Sequence, residues 1–409
     1  MKKFTLGVFF DADITSGGNF QESLNNILLC KNLISEDMDV KIITNLPENV
    51  NFLKKFKIDS HLYSPTFLEK LWLNLRTSSN LSIYRLFRLF KKKNSFEAFL
   101  ENLKIDLIYF CTQSLFASHI ETINYIFTVF DLAHRDYPEF PEVRNFRIFE
   151  QREEAFQKNI KRAVAVLVES NMGRDNLTTK YSISHNRVYV FPLSTGTTYS
   201  TEQNQFYNPD KKVIEIKKKY NLKNDYIFYP AQFWSHKNHI YILKALQILE
   251  EEDNIVLSAI FSGSDKGNLP YIKKMTKNMN LENRVFFPGF VNNEELHYLY
   301  SQSIALIMPT YFGPTNIPPL EAFKYNIPVL YSDLPGLREQ VGSAALLLDL
   351  EDPRSLVLNI KKLLSSNDLK NHLITQGQLN LKKITSQNEK LKILKKIIDK
   401  FKVIRDCWE

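Results

Sequence analysis

The sequence predicts an α/β fold with two doubly wound units in tandem. One observation is a series of short apolar runs that are continuous rather than alternating, which is typical of parallel strands covered on both faces. Another is that helical stretches separate these runs, as the crossover connections of parallel sheets require. The third is the length of 409 residues, which is enough for two domains of ordinary size. Ligands of such folds bind at the carboxyl ends of the strands.

Apolar runs rich in β-branched and aromatic residues mark the predicted strands of each unit. In the first unit they are Phe4–Phe10, Val40–Thr44, Leu107–Phe110, Tyr125–Phe130, Ala165–Val168 and Val188–Phe191. In the second unit they are Tyr226–Tyr229, Ile255–Phe261, Arg284–Phe287, Ile304–Met308, Val329–Tyr331 and Ala345–Leu348. A charged stretch from Ser194 to Lys219 separates the two series. We therefore predict one domain over residues 1–200 and a second over 201–385.

The tail, residues 386–409, predicts a single helix. Ser386 and Glu389 have the spacing of a capping box. The lysines, Lys390 among them, lie mostly off the apolar face. That face consists of Leu391, Leu394, Ile398 and Phe401.

Composition restricts the class of protein. The chain is 44% hydrophobic and 24% charged, values that are typical of globular proteins and not of disordered or fibrous ones. Its three scattered cysteines, Cys30, Cys111 and Cys407, form neither a disulfide framework nor a metal motif, which favours a reducing compartment. The first apolar run ends at Asp11 and therefore predicts a strand rather than a signal peptide. No run reaches the roughly 18 apolar residues of a spanning helix, so we expect a cytoplasmic protein.

The net charge of +8 raises the question of an acidic partner. Nucleic acid is disfavoured, because the chain has no zinc-finger, RRM or helix-turn-helix motif. Residues 67–93 mix leucine, tryptophan and phenylalanine with arginine and lysine, as segments that bind an anionic membrane surface do. An ordinary pair of surface helices with a solvated charged face fits this segment equally well.

The segment PTYFGPTNIPPLEA, which begins at Pro309, predicts a ligand site. A predicted strand ends there, a loop with Gly313, Thr315 and Asn316 follows, and two prolines then begin a helix at about Ile317. Unpaired backbone N–H groups at a helix start bind phosphate. Glu321 beside them cannot hold phosphate, but it can accept hydrogen bonds from sugar hydroxyls. Together these features indicate a nucleotide sugar.

This segment, with NIPVLYSDLPGLREQVGSAALLLD after it, resembles the donor-binding signature of the GT4-type family of GT-B glycosyltransferases. The resemblance implies two Rossmann-like domains facing across a cleft, with a C-terminal helix that returns to the N-terminal domain. It also implies that the first domain serves the acceptor and the second binds the donor. Glu321 matches the second glutamate of the family's Glu-x7-Glu pattern, whereas Gly313 stands in place of the first. The donor-binding residues predicted here are Gly313, Thr315, Asn316, Ile317 and Glu321.

A second element follows the first strand of the second unit. Lys237 precedes a predicted helix and can reach phosphates held at a neighbouring helix start. The segment resembles the family's Gly-Arg…Lys element, which grips the donor diphosphate; Lys237 matches the lysine, and Gln232 stands at the arginine position. Both are predicted to bind the donor, and Lys237 to act in catalysis. His236 and His239 are rejected as zinc ligands because no Cys or acidic partner lies at metal spacing.

Three glycine loops complete the predicted donor site. The family resemblance places the turn Gly289-Phe290-Val291 against the nucleobase and Gly263 along the donor cleft. Gly17 and Gly18 would let a backbone approach a ligand closely, and the family has a Gly-Gly loop at this place. A simple turn explains a Gly-Gly pair as well. The loop lacks G-x-G-x-x-G spacing, which disfavours a nicotinamide dinucleotide.

The segment TVFDLAHRD after a strand of the first unit resembles the family's His-Asp-Leu segment beside the transferred sugar. Asp131 matches the aspartate, Phe130 stands at the histidine position, and His134 follows three residues after Asp131. Asp131 and His134 are therefore the predicted catalytic side chains of this unit. Which of the two faces the sugar is left open.

The predicted activity is a transfer of sugar from a nucleotide sugar to a glycan or lipid-linked acceptor in polysaccharide biosynthesis. Retention of configuration follows from the family resemblance. Lys237 and the amides of residues 315–317 would balance the phosphate charge, so we expect no metal and no cofactor. One alternative is a sugar-nucleotide epimerase or hydrolase, which should have paired carboxylates. Another is a non-catalytic binding protein, which the missing charges at Gly313 and Gln232 allow.

Overall fold

The computed structural model describes residues 3–14, 17–77, 94–195, 215–313, 315–384 and 386–408. The chain divides into two compact units. The N-terminal unit consists of Met1–His134, Phe146–Pro192 and Ser386–Glu409. The C-terminal unit consists of Arg135–Asn145 and Leu193–Thr385.

Within its described residues, the N-terminal unit holds a seven-stranded sheet whose pairings are parallel. Its strands are β1 (Phe4–Phe10), β2 (Met38–Thr44), β3 (Ser60–Leu62), β4 (Leu107–Phe110), β5 (Asn124–Val129), β6 (Ala165–Val168) and β7 (Val188–Val190). Their order is β3-β2-β1-β4-β5-β6-β7. The reversal of strand order beside β1 is the position where doubly wound folds bind ligands.

The described part of the C-terminal unit holds a six-stranded parallel sheet. Its strands are β8 (Tyr226–Pro230), β9 (Ser258–Ser262), β10 (Val285–Gly289), β11 (Leu306–Met308), β12 (Val329–Ser332) and β13 (Ala345–Leu348). Their order is β10-β9-β8-β11-β12-β13. The central strands are buried along most of their length, which explains their continuous apolar sequences.

Helices connect the strands in both units. In the N-terminal unit they are Gly18–Lys31, Pro47–Lys55, Phe67–Thr77, Ser95–Asn102, Ile148–Arg162, Asn171–Tyr181 and Gln387–Arg405. Ala133–Asp136 forms one turn where the chain passes between the units. In the C-terminal unit they are Pro141–Arg144, Ile216–Lys219, His239–Asp253, Leu269–Asn278, Asn293–Ser301, Ile317–Lys324, Pro335–Val341, Arg354–Ser365 and Asn367–Ile384. Short 3-10 turns occur at Leu115–His119, Asn145–Arg147, His185–Arg187, Ser235–Lys237 and Gly342–Ala344.

The C-terminal helix Gln387–Arg405 packs on the N-terminal unit, so the predicted return of this helix is confirmed. One predicted detail is wrong, because Lys390 lies on the buried face. Its Nζ donates to Glu22 Oε1 at 2.8 Å and lies 4.4 Å from the centroid of the Phe191 ring. Both side chains of the Lys390–Glu22 pair are only 3% exposed. A lysine in an apolar stripe is therefore part of the packing here.

The division into units differs from the predicted one in two ways. The first unit ends at Pro192 rather than at residue 200, and residues 196–214 lie outside the described residues. Arg135–Asn145 belongs to the C-terminal unit, although it lies within the sequence of the first. The sequence gave no indication that this segment belongs to the C-terminal unit, because the contacts that place it there join residues far apart in the chain.

The predicted membrane-binding segment is described only in part. Phe67–Thr77 forms a helix on which Phe67 and Leu68 are 80% and 74% exposed. Residues 78–93, with Arg85, Arg88 and Lys91 to Lys93, lie outside the described residues. Across the part of the chain that is described, no helix is both long enough and apolar enough to cross a membrane.

Candidate functional site

The predicted donor segment lies at the carboxyl end of β11 in the C-terminal unit. After this strand, Gly313 adopts a φ of +100°, and Asn316 has an extended conformation directly before the helix Ile317–Lys324. Prolines occupy the start of this helix, where their missing N–H groups cost nothing. The loop-to-helix geometry expected from the sequence is therefore present, with Thr315 and Asn316 half-buried and Ile317 buried.

Lys237 contacts this loop directly. Its Nζ donates to Asn316 Oδ1 at 3.0 Å. Asn316 Nδ2 donates to Tyr331 Oη at 2.6 Å, and Tyr331 Oη donates to Gln340 Oε1 at 3.1 Å. Gln340 also holds the backbone of Asn316, with Oε1 accepting from its N–H at 3.0 Å and Nε2 donating to its carbonyl at 2.6 Å. Sequence reasoning brought Lys237 and Asn316 to one site but missed Tyr331 and Gln340, which lie on β12 and on the helix after it.

Glu321 lies inside the C-terminal unit at 7% exposure. Its Oε2 accepts a hydrogen bond from the buried Tyr300 hydroxyl at 2.7 Å. The Tyr300 ring stacks on Tyr325 with centroids 5.3 Å apart. Burial raises the pKa of Tyr325, and the negative charge of Glu321 adds to that shift. Glu321 is thus fixed in orientation, and its contact with a ribose stays a prediction.

Gln232 and Gly263 lie together at the ends of β8 and β9. Gln232 Nε2 donates to Ser264 Oγ at 3.2 Å, and Trp234 Nε1 donates to Gln232 Oε1 at 3.1 Å. Gly263 has a φ of +153°, and a Cβ there would lie 2.4 Å from the carbonyl oxygen of Ala231. Only glycine permits this close approach of the two strand ends.

The turn at the end of β10 lies beside Gly263. The Gly263 N–H donates to the carbonyl of Gly289 at 2.9 Å. Gly289 has a φ of +75°, and the next side chain, Phe290, is 82% exposed. Val291 is half-buried. An exposed aromatic ring beside an open backbone turn can stack on a planar group such as a nucleobase.

His236 belongs to a contact that sequence reasoning missed. Glu142 Oε1 accepts from the His236 backbone N–H at 2.9 Å and lies 2.6 Å from its Nδ1. Burial opposes ionisation of Glu142, but these hydrogen bonds outweigh it and lower the pKa of the carboxyl. Phe312 stacks on the imidazole with centroids 3.8 Å apart. This contact ties Arg135–Asn145 to the turn that carries Lys237.

A separate polar cavity of about 470 Å³ lies within the N-terminal unit, at the carboxyl ends of its central strands. Polar groups on its wall come from Asp11, Asn19, Asn45, Thr112, Gln113, Ser114, Asp131 and Arg152. Leu115, Phe116 and Phe130 supply its apolar wall. Burial raises the pKa of Asp11 although Ser114 and Thr112 donate hydrogen bonds to it. The sequence analysis used Asp11 only as the end of the first apolar run, and the structure places its side chain at this cavity.

Asp131 is oriented by three groups. Its Oδ1 accepts from Arg152 at 2.7 Å and from the Ala133 backbone N–H at 2.8 Å, and Gln113 Nε2 lies 3.5 Å from Oδ2. Burial raises the pKa of Asp131, but the guanidinium outweighs this and holds it below its usual value. The carboxylate lines the cavity and remains 24% exposed. It can therefore accept hydrogen bonds from a polar ligand.

His134, the other predicted catalytic side chain of this unit, is buried. The His134 side chain is 0% exposed and lies against the rings of Phe149 and Phe156. Its Nε2 lies 3.2 Å from Glu153 Oε2 and 3.4 Å from the Tyr181 hydroxyl. Burial lowers the pKa of His134 to about 4. His134 is therefore a neutral interior residue whose ring packs the turn Ala133–Asp136 against Phe149 and Phe156.

Gly17 and Gly18 begin the helix that follows β1. Gly17 has a φ of +64° and its carbonyl accepts from the Gln21 N–H at 3.1 Å. Asn19, which follows Gly18, lines the cavity of the N-terminal unit, so the predicted Gly-Gly loop lies beside that cavity. Among the described residues, no group of three or more His, Cys, Asp or Glu side chains is arranged to hold a metal ion.

Two doubly wound parallel sheets in tandem, with a final helix that returns to the first, define the GT-B class of glycosyltransferases. Residues 210–380 match the family described as Glycosyl transferases group 1. The predicted fold class and family are confirmed.

Similar proteins agree with this assignment. The O-antigen chain mannosyltransferase RfbU of Salmonella typhimurium is 26% identical over 244 residues, which are 59% of this chain and 61% of that protein. O-antigen chain mannosyltransferase B of Escherichia coli is 22% identical over 262 residues, 64% of this chain and 66% of that protein. The matched part is thus less than two thirds of either relative. Anabaena HepE in complex with UDP and glucose superposes with a TM-score of 0.72 at 13% identity, over 97% of this chain and 100% of that chain.

Proposed function

We propose that the chain transfers a hexosyl group from a nucleotide sugar to a glycan or lipid-linked acceptor, with retention of configuration. The observation that carries this proposal is the contact of Lys237 Nζ with Asn316 at the start of the helix Ile317–Lys324. A fixed cation and the positive end of a helix dipole meet there, which is the chemistry that stabilises a departing diphosphate. Relatives named as mannosyltransferases support a hexose as the sugar and polysaccharide biosynthesis as the pathway.

The transfer step needs charge stabilisation more than covalent chemistry. The bond from the sugar C1 to the phosphate oxygen breaks, and a bond from C1 to the acceptor oxygen forms on the same face. The acceptor hydroxyl proton passes to an oxygen of the leaving phosphate. Lys237 and the dipole of the helix Ile317–Lys324 stabilise the negative charge that develops on that phosphate. Glu321, oriented by Tyr300, accepts hydrogen bonds from the ribose hydroxyls of the donor.

The cavity of the N-terminal unit is the proposed place for the acceptor. Asp131 presents a carboxylate whose position is set by Arg152, and it can accept hydrogen bonds from sugar hydroxyls. Asn19, Asn45 and Gln113 offer amide groups on the same wall. Such a mixed set of donors and acceptors fits a carbohydrate.

A screen of nucleotides tests the donor site. Since ligands that bind the native state raise its melting temperature, UDP, GDP and dTDP should produce different shifts, and the largest should identify the donor nucleotide. A transfer assay with the matching nucleotide sugar then tests the reaction. A protein that binds none of the three nucleotides would contradict the proposal.

A non-catalytic binding protein is the second candidate, because Gly313 and Gln232 lack the charges of the family pattern. Nucleotide binding without turnover of any nucleotide sugar and acceptor would favour it. An epimerase or hydrolase would instead release or convert the donor sugar without an acceptor. Product analysis therefore separates the three functions.

We expect the transfer to need neither a metal ion nor a cofactor, because Lys237 and backbone dipoles balance the phosphate charge. Activity after dialysis against EDTA should remain near that of untreated enzyme, as measured by nucleotide release. Complete loss of turnover that manganese restores would show that this assignment of phosphate binding is wrong.

A further inference from the structure

Two residues of the C-terminal unit depart from the family pattern, and the charges that they remove have opposite sign. Gln232 stands at the position of an arginine and removes a positive charge, while Gly313 stands at the position of a glutamate and removes a negative one. The amide of Gln232 is held by Ser264 and Trp234. At Gly313, a φ of +100° would strain any glutamate placed there. The local structure therefore accommodates glutamine at position 232 and glycine at position 313.

Asn316 occupies the space beside Gly313. A Cβ on Gly313 would lie 3.4 Å from both Nδ2 and Oδ1 of Asn316. The same Oδ1 accepts the hydrogen bond from Lys237 Nζ. A neutral amide therefore lies against the lysine, close to where a side chain at position 313 would begin.

The orientation of this amide is set by buried neighbours. Tyr331 is 0% exposed and accepts the hydrogen bond from Asn316 Nδ2, so that Oδ1 is directed to Lys237. Gln340, at 4% exposure, fixes both Tyr331 and the Asn316 backbone. This arrangement links β12 and the helix Pro335–Val341 to the lysine on the turn after β8.

We propose that Asn316 is a positioning residue that holds Lys237 toward the donor diphosphate without neutralising it, and that this compensates for the arginine missing at Gln232. The inference rests on the proposed function and concerns the same site. An amide oxygen fixes an ammonium group by a hydrogen bond and leaves its charge unchanged, whereas a carboxylate would pair with it and repel a diphosphate. Position 232 supplies no cation in this site. Because the Asn316 amide is neutral, the positive charge of Lys237 still attracts the diphosphate.

The test replaces the amide with a carboxylate of the same shape. Asn316→Asp in the full chain should weaken binding of the best nucleoside diphosphate at least tenfold in calorimetry, while the corresponding uncharged nucleoside binds as before. Asn283→Asp is the matched control, because it adds the same charge at an exposed position on the amino-terminal side of β10. It should leave both affinities unchanged.

A second substitution tests the compensation. Gln232→Arg in the Asn316→Asp background should recover most of the lost diphosphate affinity, which a merely structural defect at Asn316 would not allow. Diphosphate binding at the wild-type level in Asn316→Asp, equal loss for nucleoside and diphosphate, or no recovery with Gln232→Arg would each overturn the inference. Wild-type protein that binds no nucleoside diphosphate would instead overturn the proposed function as well.

Discussion

At the scale of one residue, replacing Glu321 tests the proposed donor site. A hydrogen bond from the buried Tyr300 hydroxyl fixes the orientation of its carboxylate. Glu321→Ala should weaken donor binding by about 1–3 kcal/mol, because the hydrogen bonds from the ribose are lost. The measurement is KM for the nucleotide sugar together with the melting temperature. Tyr300→Phe is the control, since it removes the same internal hydrogen bond but keeps the carboxylate. Wild-type KM in a folded Glu321→Ala protein would show that this segment does not bind the donor.

His134 determines part of the pH dependence of stability. Its pKa is lowered to about 4 in the folded protein, so between pH 6.5 and 4 the unfolded chain binds a proton that the folded chain does not. The free energy of unfolding should therefore fall as pH decreases through this range, by at most about 1.4 kcal/mol per pH unit for this group. Urea unfolding at pH 7, 6 and 5 measures this dependence.

The matched variant is His134→Gln, which cannot take up a proton. Its unfolding free energy should vary less steeply with pH than that of the wild type over the same range. His119 and His239 have pKa values lowered by burial to about 4 and about 3, so some dependence should remain. Equal slopes in the two proteins would mean that His134 does not remain neutral when folded.

Single residues also mark the limit of sequence reasoning about the site. Lys237, Asn316 and Glu321 were predicted because they lie in local motifs. The same reasoning could not decide whether Asp131 or His134 faces the sugar, because a polar residue after an apolar strand has the same sequence pattern whether it lines a cavity or lies in the interior. Burial decides between these cases, and burial depends on helices that follow later in the chain.

At the scale of one element, the C-terminal helix forms a buried ion pair with the N-terminal unit, between Lys390 and Glu22. Lys390→Met should cost about 3–5 kcal/mol of unfolding free energy, because it leaves Glu22 buried without its cation. The double variant Lys390→Met with Glu22→Leu should recover most of this loss. Urea unfolding of the full chain gives both values.

The control lies on the same helix. Lys392→Met removes a lysine that pairs with Glu389 at the surface, where the two side chains are 71% and 64% exposed, and should change stability little. If Lys390→Met were as mild as this control, the buried pair would not contribute to the attachment of the helix. A loss in the double variant as large as in Lys390→Met would show that the ion pair itself, rather than its packing, is required.

Elements follow from sequence where their apolar pattern is continuous. The predicted limits of β1, β4, β6 and β13 agree with the structure. The edge strand β3 was missed because Ser60–Leu62 is short and largely exposed and carries no apolar run. The predicted run Ile255–Phe261 begins too early, since β9 starts at Ser258 after the left-handed Asn254 that ends the preceding helix.

At the scale of the whole molecule, long-range contacts were beyond sequence reasoning. Arg135–Asn145 folds with the C-terminal unit through Glu142 and His236, which are separated by 94 residues in the chain. Tyr331 and Gln340 reach the donor loop in the same manner from later elements. The apolar runs predicted two doubly wound units, and only the folded structure showed the side chains that orient the motifs.

Membrane binding is the prediction that concerns the whole molecule. If residues 67–93 bind an anionic surface, the full protein should sediment with vesicles that contain anionic lipid, and rising salt should release it. Replacing Arg85, Arg88 and Lys91 to Lys93 with glutamine should weaken that binding by up to about 5 kcal/mol at low salt, since each basic residue near such a surface contributes about 1 kcal/mol. Nucleotide affinity should not change, because the proposed donor site lies in the other unit.

A variant with the same loss of charge elsewhere separates a specific surface from the net charge of +8. Its five exposed lysines, replaced with glutamine, are Lys244, Lys274, Lys277, Lys395 and Lys396. If this variant lost as much vesicle binding as the first, the net positive charge of the protein would cause the binding, and residues 67–93 would not be a specific membrane-binding segment. If only the first variant lost binding, the exposed Phe67 and Leu68 at the start of this segment would be placed to enter the lipid interface. A lipid-linked acceptor would then meet the enzyme at the membrane surface, whereas a wild-type protein that ignores vesicles at low salt would favour a soluble acceptor.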